Sequence, residues 1–245
     1  MRIKSLLLSL SAIVALSAGA ANAATNLVTN GNFTDTTNGT NKQLSSSVTN
    51  ATDRSTLTGW TSSNGNDGGY NFVLNSNIAN TWDSAIWLKS ENNGWAKSAN
   101  GGNIFASDAQ YWPGTLSQTV TGLTAGTTYT LNFDYALAQQ VGFDGANSNN
   151  YWQVGFGNTT QNSSALSIAS GGFSGWNTSS MTFTASSASQ VLSFLAQGSP
   201  GAPPFLLLDS VSLTAAVPEP STWGMLLGGL GLMGLVARRR AVKQG

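Results

Sequence analysis

The chain has 245 residues, ten Lys and Arg against ten Asp and Glu, and neither cysteine nor histidine. Those two absences exclude disulfides, a Ser-His-Asp triad, a cysteine nucleophile and a His-ligated zinc site. Between residues 24 and 220 the balance becomes four basic against ten acidic residues, net −6, which argues against nucleic acid as a partner and against docking on anionic lipid.

Residues 1–23 have the three parts of a secretory signal peptide. Arg2 and Lys4 give the positive start, residues 6–18 the apolar run, and Ala21-Asn22-Ala23 the small-x-small site, so cleavage is expected before Ala24. Residues 24–214 are the expected folded domain. Within it, 34–70 is polar and rich in Asn, Ser and Thr, and reads as long loops with one strand around 43–48.

Residues 115–121 and 127–135 read as consecutive strands joined by a turn with glycines at both ends, Gly122 and Gly126. The second alternates strictly, with Tyr129, Leu131, Phe133 and Tyr135 on one face and Thr128, Thr130, Asn132 and Asp134 on the other. Residues 151–157, 181–185, 191–196 and 205–214 supply four more strands, the last opening as an unbroken apolar run. No amphipathic helix interrupts them. Short strands with Gly and Asn turns predict an all-β fold, a single antiparallel β-sandwich.

Residues 215–221 form a linker, where Pro218 and Pro220 keep the last strand from running on. Residues 222–245 then read as a short hydrophobic helix and a basic tail: an apolar, Gly-rich stretch over 222–237, then Arg238, Arg239, Arg240 and Lys243. Sixteen helical residues reach about 24 Å, short of the ~30 Å hydrocarbon core. The length suits a stop-transfer segment that is later removed better than a lasting anchor. Positive charge after it predicts a cytoplasmic tail, with the domain outside.

The order of Pro218-Glu219-Pro220, apolar stretch and Arg triplet resembles the PEP-CTERM sorting signal of Gram-negative bacteria. That resemblance implies an exosortase-type processing protease as partner. It also implies a precursor held transiently at the inner membrane through its C-terminal transmembrane helix, and delivery to the cell surface or an exopolysaccharide matrix.

A second resemblance spans the domain more loosely. Asn26-Leu-Val-Thr-Asn-Gly-Asn-Phe33, Gly59-Trp60, the stretch from Leu116 to Leu131 and the closing Leu207-Leu-Asp-Ser-Val-Ser-Leu213 occur in the order seen in jelly-roll, galactose-binding-like domains. Many carbohydrate-binding modules belong to them. The resemblance implies a jelly roll with a structural Ca²⁺ between the opening segment and the Asp of the final strand. Asp209 matches that Asp, but Thr34 stands where the family carries Glu, with Asp35 one residue later. The implied metal ligands are Asp209 and Asp35.

Sugar binding needs flat rings for pyranose faces, flanked by amides and carboxylates. Two segments have that composition: Glu91-Asn-Asn-Gly-Trp95 and Asp108-Ala-Gln-Tyr111-Trp112. Trp95, Tyr111, Trp112, Glu91 and Asp108 are therefore the expected polysaccharide-binding residues, while Trp60 and Trp176 are expected to plug the ends of the core. A glycosidase needs two carboxylates ~5–9.5 Å apart, and the scattered acids single out no such pair. The expected role is a non-catalytic surface or matrix protein that binds polysaccharide. A structural matrix component without a discrete site and a carboxylate-dependent glycoside hydrolase are the alternatives.

Overall fold

A computed structural model describes residues 25–47, 50–64, 67–202, 204–216, 229–231 and 233. Thirteen strands follow one another: β1 (Lys42–Leu44), β2 (Arg54–Ser55), β3 (Thr61–Ser63), β4 (Asn71–Asn75), β5 (Asn103–Asp108), β6 (Thr115–Thr121), β7 (Thr128–Gln139), β8 (Asn147–Phe156), β9 (Thr159–Asn162), β10 (Leu166–Ile168), β11 (Asn177–Thr184), β12 (Ser189–Gln197) and β13 (Pro204–Ala215). They form a seven-stranded sheet, β11-β7-β13-β5-β4-β1-β2, and a six-stranded sheet, β10-β8-β12-β6-β3 with β9 on β8. Every pairing between these strands is antiparallel except the short β1–β2 pair. The fold is an all-β sandwich.

Alternation explains the main core. Leu131, Phe133, Tyr135 and Leu137 of β7 and Leu206 and Leu208 of β13 meet Trp152, Val154 and Phe156 of β8 and Leu192 and Phe194 of β12 between the sheets. Trp60 belongs here, as its sequence context predicts: it is buried, tilted against Phe33 and Phe194, and donates its indole N–H to Asn30 O at 3.1 Å. The opening segment is stitched to both sheets. Asn26 Oδ1 accepts the amides of Val28 and Leu213, and the Gln118 side chain bonds both the N–H and the C=O of Thr29.

The seven-stranded sheet is buried on its outer face as well. Phe72, Leu74, Ile104, Ala106, Ala136, Ala138, Phe205 and Leu207 form a second apolar cluster with Ala79, Ile86 and Leu88. These last three come from the 76–102 connection between β4 and β5, which lies over that face as a strap. Double-sided burial is why the 205–208 run is unbroken rather than alternating. Trp176 sits in this outer layer, partly buried and bonded through its indole N–H to Ala96 O at 3.0 Å; it does not plug the sandwich as the sequence reading expected.

Among its described residues, the polar 34–70 stretch holds three short strands rather than one near residue 43. The expected signal peptide and the motif Pro218, Glu219, Pro220 lie outside the described residues. Of the expected tail helix only 229–231 and 233 are described, and they are helical. No helix among the described residues is long and apolar enough to cross a membrane.

Candidate functional site

The 76–102 strap exceeds the ~12–15 residues beyond which a loop in a compact domain is uncommon and usually functional. It lines the larger of two clefts over the outer layer, and the 108–114 turn and the 139–145 loop line the smaller. The smaller, about 530 Å³, is lined by Tyr70, Asp108, Gln110, Tyr111, Gln140, Phe143 and Gly201. The larger, about 880 Å³, lies between 87–93 and 167–173. Both volumes fall in the ~300–1,000 Å³ range of small-molecule sites.

Main-chain geometry builds the Tyr111–Trp112 platform. Asp108 is buried, and its Oδ1 accepts the amides of Gln110 at 2.7 Å and Tyr111 at 3.0 Å. Trp112 takes a left-handed φ of 49° and its carbonyl accepts the Tyr70 amide at 2.8 Å. Gly69, at φ 78°, lets this turn approach; a Cβ there would lie 2.7 Å from the Gly114 Cα. The result is two rings stacked at 5.9 Å with 13° between planes, 57% and 58% exposed. Tyr70 meets Tyr111 edge-on at 4.9 Å and fixes it from behind.

Burial pushes the Asp108 carboxyl up, against the lowering pull of the Tyr111 and Gln110 amides. Burial, then Asp108, then Tyr111 raise the Tyr70 phenol. The cleft thus offers ring faces, amides and one carboxylate, and none of its lining residues among those described is a cation.

The five residues expected to form one site are divided. Tyr111 and Asp108 line the smaller cleft, with Trp112 stacked at its side. Glu91 lines the larger one. Trp95 lines neither: it is partly buried in the outer layer, with its ring 5.0 Å from that of Phe173. Sequence reasoning missed Tyr70 and Phe143 on the smaller cleft and Trp87 on the larger. Trp87 and Phe143 are exposed aromatics in connecting loops, the same signal that marked Tyr111, but only the fold brings them to a cleft.

Asp209 is wholly buried on the outer face of β13, where the register shifts. It accepts hydrogen bonds from the Ser98 hydroxyl of the strap and from the Ser210 amide at 2.7 Å. Burial raises its pKa to about 6, against the Ser98 and Ser210 bonds that lower it; Asp134 raises it further. No basic side chain among the described residues pairs with it. A buried carboxylate without a counter-charge fits one ligand of a cation. Asp35 is exposed, its main chain held by Asn30, and no three acidic groups gather among the described residues to complete an acidic cage.

Residues 216–240 match the PEP-CTERM protein-sorting motif. No curated protein sequence matches the chain. Structurally similar folds include TmCBM61, solved in complex with β-1,4-galactotriose (12% identity, TM-score 0.42, covering 78% of this chain and 99% of that one). Another is the CBM22-1 xylan-binding domain of Paenibacillus barcinonensis Xyn10C (13%, TM-score 0.34, 65% and 87%). A third is the N-terminal cellulose-binding domain of Cellulomonas fimi β-1,4-glucanase C (18%, TM-score 0.31, 54% and 90%). Residues 216–240 thus carry a PEP-CTERM sorting motif, and several of the solved structures similar in fold are carbohydrate-binding modules.

Proposed function

We propose that this exported protein binds polysaccharide, without catalysis, at the cell surface or in an extracellular matrix. The observation that carries the reading is the stacked, exposed Tyr111–Trp112 pair beside a cleft of rings, amides and one carboxylate. Two coplanar faces held by main-chain hydrogen bonds suit the C–H-rich faces of pyranose rings, and neighbouring Gln110 and Gln140 suit their hydroxyls. The sorting motif supports the address, since its processing by an exosortase-type protease would pass the protein from the inner membrane to a sugar-rich exterior.

The non-catalytic part rests on the carboxylates. Among the described residues, Asp108 is the one acidic residue lining the smaller cleft and Glu91 the one lining the larger. Hydrolysis of a glycosidic bond by the usual route takes two across one cleft. Binding of the exported protein to a glycan array, repeated with and without Ca²⁺, tests the reading. Retention of one or more neutral glycans supports it, and retention of none overturns it.

A further inference from the structure

The geometry points to a second carbohydrate site in the 880 Å³ cleft between 87–93 and 167–173, so that one molecule grips polysaccharide at two places. This rests on the polysaccharide-binding reading above and deepens it. The two clefts lie against the same segment: Gln140 lines the smaller and Val141 the larger. That dividing segment is fixed, with the Val141 amide on Trp87 O at 2.7 Å and the Lys89 amide on Gln139 O at 2.8 Å.

The lining is chemically prepared for a sugar. Trp87 is 44% exposed; its indole N–H is already used on Asn80 O at 2.8 Å, and no other ring pairs with it among the described residues. A fixed, open ring face is what remains. Glu91, Asn92, Ser90 and Ser167 line the cleft with polar side chains that have no protein partner among the described residues. Asn93 clamps the loop that carries them, donating to Lys89 O and Gly171 O at 2.9 Å each. Groups so placed keep their hydrogen-bonding capacity for a ligand at little further ordering cost.

Charge sets the class. Among the described residues Lys89 is the one cation of the lining, and Asp144 already engages it. The Glu91 carboxylate is unpaired. The cleft therefore favours a hydroxyl-rich neutral or amine-bearing sugar unit and disfavours a uronic acid or sulfated one. Two clefts that share one segment also make the protein bivalent. The second contact with a polymer is then intramolecular, and avidity exceeds either site alone.

The test compares the exported protein with Trp87→Ala, Glu91→Gln, the Tyr111→Ala/Trp112→Ala pair, and all three ring substitutions together. Each is run through gels containing host exopolysaccharide, a neutral glucan or a partly deacetylated chitin, with turbidity read as polymer cross-linking. Trp87→Ala is expected to weaken retardation about tenfold or more and to abolish cross-linking, while residual binding survives at the Tyr111 cleft. The triple variant is expected to lose retardation. Glu91→Gln, which disturbs no packing, is expected to lose affinity on the amine-bearing polymer and to keep it on the neutral one. Wild-type behaviour of both Trp87→Ala and Glu91→Gln, with the Tyr111/Trp112 variant weakened, would overturn the second site and leave the first standing. Absence of retardation of the wild type in all three gels would overturn both.

Discussion

The rings of Tyr111 and Trp112 stand 5.9 Å apart and within 13° of parallel, although they are consecutive in sequence and would point to opposite sides in a strand. The left-handed backbone at Trp112 turns both rings to the same side. Removing either ring is expected to weaken polysaccharide binding by about 1–2 kcal/mol, roughly five- to thirtyfold, with no loss of folding because both are largely exposed. Isothermal titration of Tyr111→Ala and Trp112→Ala against the bound glycan checks this.

Asp108 governs that platform indirectly. Its Oδ1 accepts two amides, which Asp108→Asn retains through its own carbonyl and Asp108→Ala does not. The Ala variant is expected to lose about 2 kcal/mol of stability together with binding. The Asn variant is expected to melt close to wild type. Thermal melts of the two, read beside glycan titration, separate the positioning role from any direct contact with sugar, because a direct contact would show as weakened binding in a stable Asn variant.

Asp209 makes stability depend on pH with a defined sign. Its folded pKa, about 6, lies above the ordinary 3.8, so the native state holds the proton more tightly than the unfolded chain. The contribution is fully present below pH ~4 and is lost as pH rises through about 6, on the order of 2 kcal/mol. Melting temperature should fall across that window in wild type, and Asp209→Asn should lack that part of the slope. If Asp209, with Asp35, holds Ca²⁺, EDTA should lower the melting point of Ca²⁺-loaded wild type at pH 7 and leave Asp209→Asn unmoved. An unchanged wild-type melt would remove the ion from the account.

Much of the sandwich is legible in the sequence because one-sided burial leaves a period of two. Tyr129 to Tyr135 shows it plainly. The rest of β7, Ala136 to Gln139, does not, since it is buried on both faces. β4 and β5 escape notice for the same reason: Phe72, Val73 and Leu74, then Ile104, Phe105 and Ala106, are continuously buried. Their outer cover is the 76–102 strap, whose sequence is polar enough to pass for an open loop. The aromatic segments 91–95 and 108–112 are legible as unusual loops. Their division between two clefts and an apolar layer depends on where the strap lies, and no local pattern in the sequence encodes that.

The tail gives an independent check on location. In a host with an exosortase, the surface-exposed protein should end near Ser221. Intact-mass spectrometry finding Arg238, Arg239 and Arg240 still attached to surface protein would contradict processing.

Polysaccharide binding through the Tyr111–Trp112 pair is read by affinity electrophoresis of wild type, Trp95→Ala and Trp112→Ala through gels loaded with host exopolysaccharide. Wild type is expected to be retarded, Trp112→Ala to lose most of that retardation, and Trp95→Ala to lose more in stability than in retardation, because its ring packs on Phe173. Equal mobility of wild type and Trp112→Ala in the loaded gel, or no retardation of wild type, would contradict binding through that pair.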